Sequence, residues 1–148
     1  MKKVKILEAT QKDSHVLAQM ATKIWDNENV DELEEEFTEI LQSDEGTCFI
    51  AFVKEIPVGF ANVELRHDYV EGTESSPVGY LEGIFVEENY RKQNIARNLV
   101  KSCEDWAKKM GCSEFASDCL LDNIQSLKFH LAIGFEEANR IICFKKDL

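Results

Sequence analysis

The sequence predicts a single α/β domain built on a mixed sheet, and three observations carry that expectation. Its 148 residues suffice for one well-filled hydrophobic core and are too few for two. Stretches with strand-like alternation are interleaved with stretches whose apolar residues recur at helical spacing. No repeat, linker or low-complexity segment divides them, so the succession of elements belongs to one unit spanning residues 1–148.

Val4 to Ala9 reads as a first strand, and the short polar side chains of Thr10 to Asp13 suit a helix start, where they can cap free N–H groups. Val16, Leu17, Met20, Ala21, Ile24 and Trp25 then recur as one face of an amphipathic helix. A second helix is expected from about Asp31, with Leu33, Phe37, Ile40 and Leu41 inward and Glu34, Glu35, Glu36 and Glu39 outward. Its acidic first turn suits the helix dipole. Thr47 to Val53 and Val58 to Leu65 predict an antiparallel hairpin about a turn at Lys54-Glu55-Ile56-Pro57. Arg66 to Pro77 is polar and reads as a loop. Strand Val78 to Val86 leads into a loop at Arg91 and a helix to about Met110, closed by Gly111. Glu114 to Asp118 predicts a short strand. Asp122-Asn123 caps a helix with Ile124, Leu127 and Leu131 on its apolar face, Gly134 stops it, and Phe135 to Lys145 is expected as a last strand.

Apolar residues make up 44% and charged ones 30%, the balance of a globular soluble chain. The opening Met1-Lys2-Lys3-Val4-Lys5-Ile6-Leu7 is basic and then apolar over too short a run for a signal peptide. Nothing later approaches a membrane span, so the expected compartment is the cytoplasm. Cys48, Cys103, Cys112, Cys119 and Cys143 are scattered and odd in number, which predicts buried reduced thiols rather than a disulfide framework or zinc site. His15, His67 and His130 form no ligand pair, so no metal is expected. The net charge of −11 disfavours nucleic acid and anionic membrane as partners and is compatible with a cationic substrate, although it serves solubility equally well.

The most informative stretch is Tyr80 to Val86 followed by Arg91-Lys92-Gln93-Asn94-Ile95-Ala96-Arg97: an apolar strand, a turn, and a loop that opens directly into a helix. Unpaired amides at a helix N-terminus and the positive end of its dipole make an anion cradle, to which Arg91 and Lys92 add mobile positive charge.

The order strand, Arg-x-x-(small or turn residue)-x-Ala, helix resembles the acetyl-coenzyme A pyrophosphate loop of the GNAT acyltransferase superfamily, and the succession of elements is similar to that family's along essentially the whole chain. Asn123-Ile124-Gln125-Ser126 and Ala132-Ile133-Gly134-Phe135 resemble the family's Asn-x-x-(Ala/Ser) and Gly-Phe elements, which flank the coenzyme. Leu65-Arg66-His67-Asp68-Tyr69-Val70, Glu74-Ser75-Ser76-Pro77, Leu81-Glu82-Gly83-Ile84, Ala116-Ser117-Asp118 and Trp25 are similar to the aminoglycoside 6'-N-acetyltransferases. One departure stands in the loop, where the family usually has glycine at the fourth position and often at the second. This chain has Asn94 and Lys92, and asparagine is the non-glycine residue that best tolerates a left-handed backbone.

The resemblance implies a GNAT fold, a mixed and mostly antiparallel sheet flanked by helices. It implies acetyl-coenzyme A as co-substrate, no metal, and direct transfer in a ternary complex to a primary amine of an aminoglycoside, the 6'-amine, conferring antibiotic resistance. Coenzyme contacts are then expected from Ile84, Phe85 and Val86, from Arg91, Lys92, Gln93, Asn94, Ile95, Ala96 and Arg97, and from Asn123, Ser126 and Phe129. Glu82 is the implied base, beside a Gly83 consistent with a strand bulge. A backbone N–H near Phe85 and Val86 is the implied oxyanion donor. His130 stands where the superfamily often has the tyrosine that protonates the thiolate; it is either that acid or a core-edge histidine satisfied by a backbone carbonyl. Trp25, Tyr69, Glu82 and Asp118 are the implied substrate contacts, with Trp25 either a flat wall for a sugar ring or the end of a core stripe. The superfamily commonly dimerises, and Arg140 to Phe144 is a candidate exchanging or edge-pairing strand. Two alternatives stay open: acetylation of another small amine, such as a polyamine or amino sugar, and a non-catalytic coenzyme A-binding module.

Overall fold

The structure is a computed structural model that describes residues 3–26 and 28–148. A five-stranded sheet runs in the order β1 (Val4–Glu8), β2 (Gly46–Val53), β3 (Ile56–Arg66), β4 (Val78–Val86), β5 (Phe115–Ser117). The first four strands are antiparallel neighbours and β5 lies parallel to β4. Helices α1 (Ser14–Ala21) and α2 (Val30–Gln42) follow β1, α3 (Ile95–Lys109) follows β4, and α4 (Ile124–Ala132) follows β5.

Strand alternation sorts the core into two layers. Cys48 and Ile50 of β2 and Phe60 of β3 pack with Leu17, Ala18, Met20 and Ala21 of α1 and with Leu33 and Phe37 of α2. Phe37 meets Phe60 edge to face, with centroids 5.8 Å apart, an arrangement that suits the ring quadrupoles. On the other side Ala51, Val53, Val58, Ala61, Val63 and Leu81 pack with Ile95, Leu99, Val100 and Cys103 of α3. The expected cap of the first helix is displaced: Gln11–Asp13 form a 3-10 turn in which the Thr10 amide donates to Asp13 at 2.8 Å, and α1 itself has no side-chain cap. At the start of α2, Asn29 accepts from the Glu32 amide at 2.8 Å.

The β2–β3 turn is tighter than the four residues expected. Lys54 and Glu55 alone make it, both with positive φ (50° and 66°), the conformation that matches a two-residue turn to the twist of the strands. Pro57 therefore lies inside β3, beside an irregularity in the pairing at Ala51 and Phe52.

A second irregularity matters more. In the β3–β4 pairing Asn62 faces Gly83 and Val63 faces Leu81, so Glu82 is an extra residue with no opposite number. The extra residue shifts the inward and outward positions by one: Leu81 packs towards α3, whereas Phe85 joins the α1–α2 layer. Gly83 is needed for space. A Cβ there would meet the Trp25 ring at 2.5 Å.

Two expectations are corrected. Phe135 to Lys145 forms no strand; residues 133–148 have no helix or strand, and Ile141, Ile142 and Phe144 are exposed. Alternating residues make a strand only when another edge supplies backbone partners, and within this chain the segment lies against none. The cysteines are not uniformly buried: Cys48 and Cys103 are, Cys112 is half-buried, and Cys119 and Cys143 are exposed. Burial raises the thiol pKa of Cys48 and Cys103, which keeps them protonated and inert.

Replacing Gly83 with Ala is expected to cost about 1–3 kcal/mol in urea denaturation, because the Trp25 ring has to move. The same change in a Trp25→Leu background should cost clearly less, since the ring it displaces is gone; equal costs in both backgrounds would refute the contact as the cause.

Candidate active site

The bulge places the Glu82 carboxylate beside a group of charged and aromatic side chains drawn from β3, β4 and the end of β5. Arg66, the last residue of β3, donates to Glu82 through both faces of its fork, Nη2 to Oε1 at 2.7 Å and Nε to Oε2 at 3.0 Å. The same guanidinium lies 3.4 Å from the centroid of the Tyr80 ring, a cation–π stack. The Tyr80 hydroxyl in turn donates to Asp118. Burial, followed by this bond to Asp118, pushes the Tyr80 pKa well above its ordinary value, so the phenol stays protonated as a donor. Glu64, opposite Tyr80 in the strand register, adds a third carboxylate. Its pKa is raised, first by burial and then by the neighbouring charge of Glu82. Glu82 and Asp118, predicted separately, are thus ends of one chain of contacts through Arg66 and Tyr80. Neither of those linking residues was assigned a role from sequence.

Trp25 is half-buried, packed on the α1–α2 layer and against Gly83, directly beside the bulge. Tyr69 stands 76% exposed in the loop between β3 and β4. That loop is held by Glu114, whose carboxylate accepts from the Glu74 and Ser75 amides at 2.9 and 2.8 Å and from the Ser75 hydroxyl. These bonds, the Ser75 hydroxyl first, hold the Glu114 pKa below its usual value. The C-terminal segment crosses the same loop: Asn139 donates to Glu71 at 2.9 Å, and Ala138 packs on Gly72.

At the far end of β4 the anion loop has the backbone its sequence calls for. Lys92 and Asn94, which stand where glycine is usual, both adopt left-handed conformations, with φ of 62° and 64°. Asn94 leads into α3, so the amides of Ile95, Ala96 and Arg97, which have no intrahelical acceptor, lie at the loop. Arg91 is tied to the end of the strand, Nε donating to the Val86 carbonyl at 2.9 Å, with Lys92 and Gln93 exposed beyond it. The side chain of Ile95 is buried beneath the loop, and Arg97 reaches the Ala132 carbonyl at the end of α4, at 3.3 Å. β5 pairs with β4 only at Gly79, Tyr80 and Leu81. Among the described residues, the edge of β4 from Glu82 through Ile84, Phe85 and Val86 therefore has no strand beside it on that side, and alternate backbone groups point into the gap.

α4 borders the gap. Asn123 caps it, accepting from the Ser126 amide at 3.1 Å, and Phe129 packs partly into the α3 layer. His130 is satisfied on both nitrogens: Nδ1 faces the Ser126 carbonyl at 2.7 Å and Nε2 the Ser117 hydroxyl at 2.8 Å. A carbonyl only accepts, so Nδ1 carries the proton, and in the neutral ring Nε2 accepts from Ser117. Sequence reasoning missed this Ser117–His130 pair, because the 13-residue separation carries no motif. Among the described residues, no group of three His, Cys, Asp or Glu side chains is arranged to hold a metal ion.

The geometry offers three things along one strand: an anion cradle, an open edge with free amides, and a cluster of carboxylates suited to an amine. Known proteins share this fold. The model of the acetyltransferase (GNAT) family matches residues 15–135. An aminoglycoside N(6')-acetyltransferase type 1 from Stenotrophomonas maltophilia is 40% identical over 144 residues, covering 97% of this chain and 93% of that protein. The solved structure of aminoglycoside N-acetyltransferase AAC(6')-Iy in complex with CoA superposes with a TM-score of 0.96 at 35% identity, covering 100% of this chain and 97% of that one. The same enzyme bound to a bisubstrate analogue of CoA and acetylneamine gives 0.94 at 36% identity, with 99% of each chain covered. The mixed sheet with its flanking helices, the left-handed loop at the start of α3 and these relatives agree, and the chain belongs to the GNAT acetyltransferase family.

Proposed function

We propose that this protein transfers the acetyl group of acetyl-coenzyme A to the 6'-amine of an aminoglycoside, by direct attack in a ternary complex. The observation that carries the reading is the convergence of Glu64, Glu82 and Asp118 where the open edge of β4 begins, with the loop suited to a pyrophosphate at the other end of that edge. Three carboxylates around one spot suit a polyamine sugar, because each ammonium needs a charge-assisted acceptor. The named activity of the relatives points the same way.

Acetyl-coenzyme A supplies the activated thioester. Arg91, Lys92 and the amides of residues 93–97 would hold its pyrophosphate, and the backbone of Ile84, Phe85 and Val86 with Asn123, Ser126 and Phe129 would line its arm. Glu82 takes the proton that the ammonium must lose before its nitrogen can attack, either directly or through water. An amide near Phe85 and Val86 stabilises the negative charge that develops on the carbonyl oxygen. His130 can return a proton to the leaving thiolate only as the imidazolium: Nε2–H then donates to the Ser117 oxygen, the Ser117 hydroxyl hydrogen passes to the sulfur, and the ring is left neutral with its proton on Nδ1. Asp118, Trp25 and Tyr69 hold the sugar. Positioning of the two substrates supplies most of the rate.

The whole chain, residues 1–148, acts in this reading as one catalytic domain. Among the described residues no helix is long and apolar enough to cross a membrane, and we place the protein in the cytoplasm, where its co-substrate is made. We also propose a homodimer. The exposed segment bearing Ile141, Ile142 and Phe144 would pair with the short edge at β5 in a second copy, burying apolar surface that each chain leaves in water. In sedimentation, deletion of residues 136–148 should convert a dimer to a monomer; an unchanged mass would exclude this pairing.

Thiol release from acetyl-coenzyme A, followed with kanamycin, tobramycin, gentamicin and spermidine, tests the reaction. Rapid release with the aminoglycosides, abolished when the 6'-amine is blocked, is the expected result. Release with spermidine alone would replace the substrate class, and coenzyme binding without turnover on any amine would overturn the catalytic assignment. Glu82→Gln is expected to lower kcat by about 10²–10⁴-fold. Asp118→Asn should act mainly on KM, and the reverse pattern would exchange their roles.

A further inference from the structure

Arg66 occupies the place a substrate amine would need. Its guanidinium takes both oxygens of Glu82, at 2.7 and 3.0 Å, and is stacked on the Tyr80 ring at 3.4 Å. An ammonium approaching Glu82 meets a carboxylate already engaged by a better-shaped cation, since the planar fork matches a carboxylate in two bonds. The pair is not locked in place, however. The Arg66 side chain is 43% exposed and that of Glu82 22%, and Arg66 is the last residue of its strand, with a solvated loop beyond it. The guanidinium can therefore turn out to water, at the cost of uncovering the face of the Tyr80 ring on which it lies.

The charges around it set the terms of that exchange. Glu82 lies beside it on β4, Glu64 on its own strand, and Asp118 at the end of β5, joined to the stack by the Tyr80 hydroxyl. Three carboxylates face one resident cation.

We infer that Arg66 is a specificity-determining residue: a resident counter-ion that the substrate amine displaces from Glu82, so that polycations are admitted and monocations are turned away. A monocation exchanges a two-bond guanidinium pair for a weaker ammonium pair and gains nothing elsewhere. A polycation places its reacting amine on Glu82 and a second ammonium against Asp118 or Glu64, which offsets the pair it breaks. The inference rests on the amine-acetylating reading above and names which amines that site accepts.

The test compares kanamycin with 6-amino-6-deoxyglucose, a sugar carrying a single amine, on the wild-type protein, Arg66→Gln and Arg66→Lys. In Arg66→Gln, KM for the monoamine is expected to fall about tenfold, the equivalent of losing about 1.4 kcal/mol of competing pairing. KM for kanamycin should fall by much less, and Arg66→Lys, which keeps a cation but loses the fork, should lie between. A parallel rise in both KM values, or a fall in kcat at unchanged KM, would make Arg66 only a support for Glu82 and overturn the filter. Calorimetric binding of the same two ligands reads the ratio without turnover. If the wild-type protein binds kanamycin but acetylates neither sugar, the reaction assigned above fails while the filter still stands or falls on that ratio. Thermal denaturation of each variant reports folding. A structure with kanamycin bound tests displacement directly: Arg66 turned away from Glu82 supports it, and an intact Arg66–Glu82 pair refutes it.

Discussion

One extra residue in β4 organises the carboxylate-bearing end of this molecule. Strands β3 and β4 pair along most of their length, and the pairing absorbs Glu82 without an opposite number. That single insertion does two things at once. It turns Phe85 towards α1 and α2 after Leu81 has faced α3, and it delivers a carboxylate out of the ladder to the point where Arg66, Tyr80 and Asp118 converge. Trp25, which lies beyond the end of α1, fits on Gly83 immediately beside it. The parallel pairing of β5 ends at Leu81, the last residue before the bulge, and the open edge begins there.

Much of this was legible in the residues. The bounds of β4 follow from its apolar run between loop residues, and the amphipathic faces of α2 and α3 follow from their spacing. Lys92 and Asn94 raised the question of whether a loop without glycine could take the necessary shape. Both are left-handed, and the cost that L-residues meet there, about 1–2 kcal/mol each, is one the fold carries. Glu82 and Asp118 were legible as carboxylates but not as partners in one network. Their link depends on the β3–β4 register, and an 11-residue connection separates those strands, so no turn chemistry fixes it. Arg66 read as the first residue of that loop; it is the last residue of β3, paired with Val78.

The C-terminal segment marks the opposite limit. Its apolar residues have the composition of a strand, but a strand exists only where a neighbour supplies hydrogen bonds, and that information does not lie in the segment. Likewise, the tie between His130 and Ser117 joins a helix to a strand end through a tertiary contact. Residue type suggested a proton donor; only the fold shows that both ring nitrogens are engaged and which of them carries the proton.

No residue of α4 is buried, although this helix carries Asn123, Ser126 and Phe129 and anchors His130. Its order rests on its cap, on the bond from Arg97 to Ala132, on the tie between His130 and Ser117 and on partial packing of Phe129. A helix with no buried residue is expected to exchange its amides with solvent faster than the central strands β3 and β4. Any ligand that lies against it inherits that equilibrium: part of the binding energy goes into quieting the helix, and a second ligand arriving afterwards meets a wall already stilled. Two ligands that share such a wall are coupled through its rigidity even where they do not touch.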